Sequence, residues 1–456
     1  MPSKYAQVNR KQEYRLTISY PESDSSGVIQ TLERSLGTKH FIEEGAVSFF
    51  YGTYAAAQRA FNKVSHILAH RDNVHTQLLL QTINGDSVRV MRESPQAAKS
   101  KPSTSRSNPT NDPEPIQIVL DEKSVIGGVA LTTAPYFVTI REDGNFEECE
   151  HNLPSSMNYI ERLKALEATF GERRTVLAVN AVIAVPSYLG ITERLEVWAA
   201  TKQTAVTGLR LITSPTAACL WKAFQNWERK QSILAVEINH AGVSAAIAEF
   251  DAGILEILSD NGKSTASGTS DDARLQLVGE LVSNSLALSA CDAIDEVVVC
   301  ETGNSVSRYK LSQLLKDFTG CEVDYRPDAV ARGATLQSQV LMGVKKGLIV
   351  LDVTPTGIGI KFADDLIDVI PHGMPRPLQH SVQIDVRADG NVELDIIDLG
   401  PSRTKIGSLE WRGLKVGAEA RISFNVIGEL DAAGNLTIEV TAINDGIRQR
   451  LSIKMD

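Results

Sequence analysis

The chain has 456 residues, of which 43% are hydrophobic and 22% charged, and its formal net charge is −10 at pH 7. It is too long for one ordinary hydrophobic core, so two or three domains are expected. The acidic balance argues against nucleic acid as the main partner, and no apolar run approaches the ~20 residues that span a bilayer. Neither nucleic acid nor a membrane is therefore expected as a direct partner.

The N-terminus and the cysteines bear on the compartment. Residues 1–13 are basic without an apolar core, which predicts a flexible tail rather than a secretory signal and leaves a short transit peptide open. The five cysteines are scattered without CxxC or other metal-ligand spacing: Cys149, Cys219, Cys291, Cys300 and Cys321. Thiols in this pattern are typical of a reducing compartment, so the sequence predicts a cytoplasmic protein.

The first elements are predicted from hydrophobic periodicity. Residues 14–20 and 27–32 alternate apolar and polar side chains, as the arms of a β-hairpin do. Residues 54–71 have the period of an amphipathic helix, on which His66 and His70 lie one turn apart. Zinc ligands can have this spacing, but without a third ligand solvated or capping histidines are favoured, and no metal site is expected.

A polar stretch interrupts this pattern. Residues 96–115 are rich in Ser, Pro, Asn and Lys and carry almost no apolar side chains, which predicts a disordered loop. Residues 116–140 return to strand patterns, and residues 157–170 have the spacing of an amphipathic helix.

The most regular stretch is residues 181–220. The unbroken apolar run 182–185 predicts a strand buried on both faces, and Pro186 ends it. Thr192 is predicted to cap the following helix, and Pro215 opens a further one after a second strand. This order is that of a parallel α/β unit.

The same stretch carries a resemblance to a known family. AVIAVPSY followed by LRLITSPTAA resembles the AVITVPAYF and RIINEPTAA segments of Hsp70 proteins, GLIVLDVTPT resembles their VLLLDVTPL, and DAAGNLTIEVTA resembles DIDADGILHVSA. The resemblance covers residues 14–456. It implies an α/β plus all-β fold class: actin-like (ribonuclease H-like) ATPase-type lobes followed by an Hsp70-type β-sandwich peptide-binding domain.

Three nucleotide-binding motifs of that family are degenerate here. The family's DLGTTNS turn is expected at Ser19, Tyr20, Pro21 and Glu22. Its DLGGGTFD turn, which holds phosphate and positions magnesium, is expected at Glu237, Asn239, His240 and Gly242. Its adenosine-binding glycine pair is expected at Glu301, Thr302 and Gly303. No catalytic residue, cofactor or metal is therefore expected, and ATP binding is kept as an alternative.

The resemblance also implies a domain plan. After a flexible tail at 1–13, it places an actin-like domain at 14–344, with the disordered loop near 96–115 and the hinge at 181–220. The outer lobe that grips adenine is expected to be deleted near 276–293. A linker at 345–355 then leads to a β-sandwich at 356–456 without the family's helical lid.

The sandwich is expected to hold an extended peptide in an apolar pocket. The residues at pocket positions are Ile358, Ile360, Val382, Val392 and Leu394. Every sandwich has such inward residues, so alternation alone leaves pocket and core equally open. Trp411 and Phe424 are predicted to be core residues.

The function implied is that of a chaperone or co-chaperone that binds unfolded or nascent polypeptide without hydrolysing ATP. A lidless sandwich on a non-hydrolysing lobe resembles the Hsp70 member of the ribosome-associated complex, which implies a J-domain protein and the ribosome as partners. Two alternatives stay open: an ATP-dependent Hsp70 chaperone with nucleotide-regulated peptide binding, and a structural scaffold subunit.

Overall fold

The computed structural model describes the chain in segments separated by gaps. These segments are residues 14–19, 40–43, 46–51, 77–82, 124–131, 136–140, 146–150, 158–173, 178–266, 268–289, 291, 293–301, 306–416, 421–431 and 434–454. Contacts divide the chain into two units, Met1–Gln117 and Ile118–Asp456. The predicted helix at 54–71, its two histidines and the loop at 96–115 lie outside the described residues.

The first unit contains an antiparallel four-stranded sheet in the order β2-β3-β1-β4. Its strands are β1 (Tyr14–Ser19), β2 (His40–Glu43), β3 (Ala46–Tyr51) and β4 (Gln77–Thr82). β1 is an inner strand between β3 and β4, with Ser19 opposite both Ala46 and Gln77. The predicted strand at 14–20 is therefore confirmed, whereas its predicted partner at 27–32 lies outside the described residues.

The second unit begins with a mixed five-stranded sheet in the order β7-β6-β5-β8-β9. Its strands are β5 (Ser124–Ala130), β6 (Tyr136–Ile140), β7 (Phe146–Glu150), β8 (Ala178–Val185) and β9 (Val206–Thr213). Helix α1 (Tyr159–Arg173) precedes β8, and α2 (Ile191–Thr201) connects β8 to β9. Ala181 to Val185 are fully buried, as the apolar run predicted.

One local prediction in this region is wrong. Thr192 does not cap α2, because the helix begins one residue earlier, at Ile191, and its N-cap is Gly190, which has no side chain to bond the first turn.

A mixed six-stranded sheet follows in the order β14-β13-β10-β11-β12-β15. Its strands are β10 (Gln231–Asn239), β11 (Gly242–Asp251), β12 (Ile254–Ser264), β13 (Glu296–Glu301), β14 (Val323–Tyr325) and β15 (Ile349–Leu351). The helices around it are α3 (Ser214–Gln225), α4 (Asp271–Ser289), α5 (Arg308–Thr319) and α6 (Ala329–Leu341).

The five- and six-stranded sheets repeat one topology. In each, three antiparallel strands are followed by two parallel ones, and the chain order is three strands, helix, strand, helix, strand, helix. The β10–β11 hairpin of the second sheet therefore corresponds to the β5–β6 hairpin of the first. Both halves are complete within residues 124–341, and we refer to these residues as the lobe.

Helices cover both faces of the six-stranded sheet. α3 and α6 pack on one face, against Phe250 and its neighbours, while α4 and α5 pack on the other, against Leu234 and its neighbours. All nine residues of β10 are buried, which explains the apolar run Ile233 to Val236 at its centre. Helices α3 and α6 cross closely, since a Cβ on Gly333 would lie 1.8 Å from the Ala217 carbonyl oxygen.

The C-terminal part consists of two antiparallel four-stranded sheets, ordered β17-β16-β19-β20 and β18-β21-β22-β23. Their strands are β16 (Ile358–Phe362), β17 (Asp365–Ile370), β18 (Leu378–Arg387), β19 (Val392–Asp398), β20 (Lys405–Trp411), β21 (Arg421–Leu430), β22 (Leu436–Ala442) and β23 (Arg448–Ile453). Trp411 and Phe424 are buried with ring centroids 5.0 Å apart, which confirms them as core residues that join the two sheets. We refer to these sheets as the sandwich.

The predicted domain boundaries stay a prediction, and contacts divide the chain at a different place. The division into units falls after Gln117, and lobe and sandwich belong to the same unit. Residues of the predicted linker form β15, which pairs with β12 at the edge of the six-stranded sheet. None of the helices in the described part of the chain combines the length and hydropathy of a membrane span.

Candidate functional site

The turn between β10 and β11 lies at the position of the second predicted phosphate loop. Asn239 ends β10 and pairs with Gly242, the first residue of β11. The Oδ1 atom of Asn239 accepts hydrogen bonds from the backbone N–H of Ala241 at 2.9 Å and of Gly242 at 3.0 Å. Asparagine commonly closes a turn in this way. Two backbone donors of the turn are therefore already bonded to a side chain of the turn itself.

An aromatic ring covers the same turn. The hydroxyl group of Tyr188 donates to Asn239 Oδ1 at 3.1 Å. A Cβ on Gly242 would lie 2.5 Å from Cε1 of that ring, so only glycine permits this approach. Burial, with the Glu237 carboxyl nearby, raises the pKa of Tyr188 far above its ordinary value, and the phenol stays protonated. The sequence reasoning did not single out Tyr188, because an aromatic residue after a buried strand carries no functional signal by itself.

Glu237 lies on β10, two residues before Asn239, and is 1% exposed. The amide nitrogen of Asn239 donates to Glu237 Oε1 at 3.4 Å, and the hydroxyl groups of Ser214 and Ser244 also lie against this carboxyl. Burial raises its pKa to about 8, although the Asn239 amide and the neighbouring hydroxyl groups oppose the rise. At neutral pH the carboxyl is therefore mostly protonated, which makes it a poor partner for a divalent cation.

A second buried carboxyl, Asp260, lies on β12, which pairs with β11. It accepts hydrogen bonds at 2.5 Å from the hydroxyl groups of Ser187 and Thr213. Burial raises the pKa of Asp260 as well. Ser187 also connects to the turn region, since its N–H donates to Ser244 Oγ at 3.1 Å. The sequence offers one signal for this group, an acidic residue inside an apolar strand. It does not indicate the hydroxyl partners of Asp260, because they come from other elements.

Glu301, at the degenerate adenosine motif, ends β13 and is 6% exposed. Its two carboxylate oxygens accept from the Val306 N–H at 3.1 Å and from Arg308 Nε at 3.2 Å. The guanidinium of Arg308 lies 5.1 Å from the ring centroid of Tyr325. Glu301 thus holds the start of α5. Thr302 and Gly303 lie outside the described residues.

The three predicted loops fall in two different units. Ser19 belongs to the first unit, whereas Glu237 and Glu301 lie in the second, on strands β10 and β13 that pair with each other. Tyr20, Pro21 and Glu22 lie outside the described residues. By strand order, the counterpart of the β10–β11 turn is the turn after β5. Leu131, which follows β5, is buried, and its N–H donates to the Ala184 carbonyl at 2.9 Å.

The five predicted peptide-binding residues lie on three strands of the sandwich. Ile358 and Ile360 on β16 and Val392 and Leu394 on β19 belong to neighbouring strands of one sheet and are at most 3% exposed. Val382 lies on β18 in the other sheet and is half-buried. Of the five, Val382 is the residue most accessible to a ligand.

The described side chains contain no cluster of three or more His, Cys, Asp or Glu residues with the geometry of a metal site. His240 is mostly solvent-exposed at the turn, and partial burial beside Arg274 lowers its pKa. The bulky residue at this position therefore projects from the turn rather than into the buried polar cluster.

Comparison with known proteins gives consistent matches. A family model described as "Hsp70 protein" matches residues 160–285 and 278–456. The chain is 23% identical over 357 residues to "Chaperone protein HscA homolog" of Polynucleobacter asymbioticus, with 60% of this chain and 57% of that protein covered. It is also 23% identical over 363 residues to "Heat shock 70 kDa protein 7, chloroplastic" of Arabidopsis thaliana, with 60% and 50% covered. The chain thus spans about half the length of the curated relatives it matches.

Proposed function

The chain belongs to the Hsp70 family, and on that premise we propose that it binds unfolded or nascent polypeptide as a chaperone or co-chaperone without hydrolysing ATP. The observation that carries this proposal is the β10–β11 turn. Phosphate binding by such a turn needs free backbone N–H groups and open space above the glycine. Here Asn239 accepts from the N–H groups of Ala241 and Gly242, and the Tyr188 ring occupies the space.

The electrostatics of the lobe support the same conclusion. The carboxyl expected to position magnesium, Glu237, is mostly protonated at neutral pH because it is buried. The carboxylate expected near the base, Glu301, is paired with Arg308 and caps a backbone N–H. Neither group is available to a nucleotide without breaking an existing interaction.

The connections of the lobe support the loss of an outer subdomain. Only residues 290–295 lie between α4 and β13, and only residues 151–158 lie between β7 and α1. The family match also breaks into two segments around residues 278–285, next to the deletion predicted at 276–293. We propose that both halves lack inserted lobes and that the actin-like domain begins after Gln117, rather than at residue 14 as the sequence suggested.

The sandwich supplies the polypeptide-binding part of the proposal, with a J-domain protein as the partner that the family implies. Ribosome association and a cytoplasmic location stay predictions from the subfamily resemblance and from composition. Two of the relatives are chloroplast proteins by name, so the compartment is a question for fractionation. Co-sedimentation with ribosomes from the native source tests the predicted ribosome association.

The experiment is a calorimetric titration of the purified full chain with Mg·ATP and, separately, with Mg·ADP. We expect no saturable heat at micromolar protein and no phosphate release above the buffer rate. Saturable binding of either nucleotide would refute the closed-turn argument and favour the ATP-dependent alternative.

Polypeptide binding is tested by fluorescence anisotropy with a labelled apolar heptapeptide. Val382→Asp places a charge at the half-buried candidate position and is expected to weaken binding about tenfold or more, because an unpaired charge in an apolar pocket costs several kcal/mol. Val416→Asp is the matched control, since Val416 is 42% exposed in the same sandwich. Equal loss in both variants would contradict a pocket at Val382.

One observation favours a second function, that of a structural scaffold subunit. Four of the five candidate pocket residues are buried at 3% exposure or less, as core residues are. Under this alternative neither variant changes peptide binding, because the heptapeptide does not bind the wild-type chain either.

A further inference from the structure

Two cysteine residues follow the ends of neighbouring helices in the lobe. Cys291 lies two residues after the last residue of α4, and Cys321 lies two residues after the last residue of α5. Both are half-buried, whereas Cys219 is fully buried and Cys300 is 2% exposed. Burial raises the pKa of Cys219 and of Cys300, so these two thiols stay protonated. Because the thiolate is the form that reacts with oxidants, Cys291 and Cys321 are the two reactive thiols among the free cysteines that the structure describes.

The two helices lie side by side and run in the same direction. In the first turn of each helix, Lys310 Nζ forms an ion pair with Asp272 at 2.8 Å. Further along both helices, a Cβ on Gly279 would lie 3.8 Å from Leu314 and 3.8 Å from Phe318. The two helices also pack on the same face of the six-stranded sheet. Their C-terminal ends, with the cysteines beyond them, therefore lie at the same end of the lobe.

Each helix fixes the backbone of its cysteine in the same way. The Oγ atom of Ser289, the last residue of α4, accepts from the Cys291 N–H at 3.3 Å. The Oγ1 atom of Thr319, the last residue of α5, accepts from the Cys321 N–H at 3.2 Å. Both hydroxyl groups also donate to a carbonyl of their own last helical turn, at 3.1 Å and 2.8 Å. The ends of α4 and α5 therefore determine where the two cysteines lie.

Both thiols bond to the same short connector, residues 290–295 between α4 and β13. The Cys291 thiol donates to the Ala293 carbonyl at 3.1 Å. The Cys321 thiol donates to the carbonyl of Ile294, the next residue, also at 3.1 Å. Ile294 is 7% exposed and belongs to the core beneath α4 and α5, which anchors the connector. One peptide unit and two hydrogen bonds therefore separate the two sulfur atoms.

The two thiols differ in their access to solvent. The hydrogen bond of the Cys291 thiol lies at the protein surface, whereas that of the Cys321 thiol is partly buried. The Cys321 sulfur also lies 3.6 Å from the Thr319 carbonyl oxygen. Redox-active cysteine pairs often combine an accessible thiol that meets the oxidant with a neighbouring thiol that resolves the product. Cys291 has the first of these positions and Cys321 the second.

We propose that Cys291 and Cys321 are a peroxide-responsive thiol pair, and that oxidation joins the ends of α4 and α5 through a disulfide. The Cys291 sulfur first takes one oxygen atom from hydrogen peroxide. The O–O bond breaks, an S–O bond forms, and the other oxygen leaves as water with the thiol proton. The Cys321 sulfur then attacks the Cys291 sulfur, the S–O bond breaks, and a second water leaves with the Cys321 proton. Two thiols thus reduce one peroxide molecule, and a dithiol reductant reverses the reaction.

The disulfide closes a loop of about 30 residues that contains β13 and α5. A crosslink of this kind stabilises a fold mainly because it restricts the unfolded chain. The thermal midpoint of the oxidised lobe is therefore expected to lie roughly 5 °C or more above that of the reduced lobe. The inference goes beyond the proposed function, because neither nucleotide nor polypeptide takes part in the reaction.

The test is mass spectrometry of the reduced full chain after treatment with hydrogen peroxide, alkylation and non-reducing digestion. A glutamate-specific protease cleaves after Glu296 and so separates Cys291 from Cys300. We expect one species that joins the peptides of Cys291 and Cys321 and disappears with dithiothreitol, while Cys219 and Cys300 are alkylated only after denaturation. A disulfide to Cys149, a disulfide between two chains, or sulfinic acid without a crosslink would overturn the proposal, since Cα atoms held more than about 7 Å apart cannot be bridged.

Single substitutions assign the two roles. In Cys321→Ser no thiol resolves the oxidised Cys291, so labelling of its sulfenic acid by dimedone should rise at least about fivefold over wild type. Equal labelling in the two proteins would show that Cys321 does not resolve Cys291, and would overturn the pair.

The thermal midpoint provides a readout that does not depend on labelling. Peroxide should raise the midpoint of the wild-type chain and of the control Cys300→Ala, which removes a buried thiol, and should leave that of Cys291→Ser unchanged. An equal rise in Cys291→Ser would mean that other residues carry the effect, and would contradict the proposed disulfide.

Discussion

Glu237 makes a quantitative prediction about stability and pH. Its carboxyl is 1% exposed, and burial raises its pKa from an ordinary 4.5 to about 8. Folding therefore takes up a proton between these two pH values. The stability that this group contributes is fully present below pH 4.5 and is lost as the pH rises through about 8.

The magnitude follows from the size of that window. Each pH unit within it changes the free energy of unfolding by about 1.4 kcal/mol per group. Between pH 4.5 and 7 the wild-type chain is therefore expected to lose about 3 kcal/mol through this carboxyl alone. Glu237→Gln keeps the shape of the side chain without a titrating proton, and its amide can donate to the hydroxyl groups of Ser214 or Ser244.

The assay is urea unfolding, followed by tryptophan fluorescence at pH 5, 6, 7 and 8. We expect the stability of Glu237→Gln relative to wild type to rise with pH, and the stability of the exposed control Glu228→Gln to stay parallel to wild type. Asp260, whose pKa is also raised, is present in all three proteins and cancels in the difference. If wild type and Glu237→Gln show the same pH dependence, Glu237 is ionised when folded, and the argument against a cation at this position fails.

Two further predictions concern packing. Gly333→Ala would place a methyl group 1.8 Å from the Ala217 carbonyl oxygen, so the helices must separate, and thermal denaturation should show a loss of about 2 kcal/mol. Gly279→Ala on α4 would place its methyl group in ordinary contact with Leu314 and Phe318, both at 3.8 Å. It should therefore gain up to about 1 kcal/mol from helix propensity, and a loss there would contradict the comparison. Trp411→Ala removes a buried ring that packs against Phe424 at 5.0 Å and should destabilise by about 3–5 kcal/mol; an unchanged urea midpoint would show that the ring does not join the two sheets.

The elements that the sequence predicted best are those whose pattern is local. The strand at 182–185 consists of apolar residues because both faces of its sheet are covered, and the structure confirms it. Trp411 and Phe424 were likewise predicted to be core residues, and both are buried. The family followed from short motifs, which depend on sequence order and not on three-dimensional contacts.

The N-terminal residues show what motif reading by itself leaves open. The strand at 14–20 has the alternation of a hairpin arm, and the sequence reasoning matched it to the first phosphate loop. In the structure this strand is central in a separate four-stranded sheet, and the strand order identifies β5 and β6 as the counterpart of β10 and β11. Alternation predicts that a strand exists, but it does not indicate which sheet contains it.

The sequence by itself determined the family and the buried strands, because each of these is encoded within about ten consecutive residues. Only the tertiary structure decided which side chains bond the β10–β11 turn and which group caps the start of α2. Tyr188 reaches a turn 51 residues away, and the cap of α2 comes not from the neighbouring Thr192 but from Asp398, 207 residues further along the chain. A hydrogen-bond donor is satisfied by whichever acceptor the fold places beside it, and sequence distance has no part in that choice.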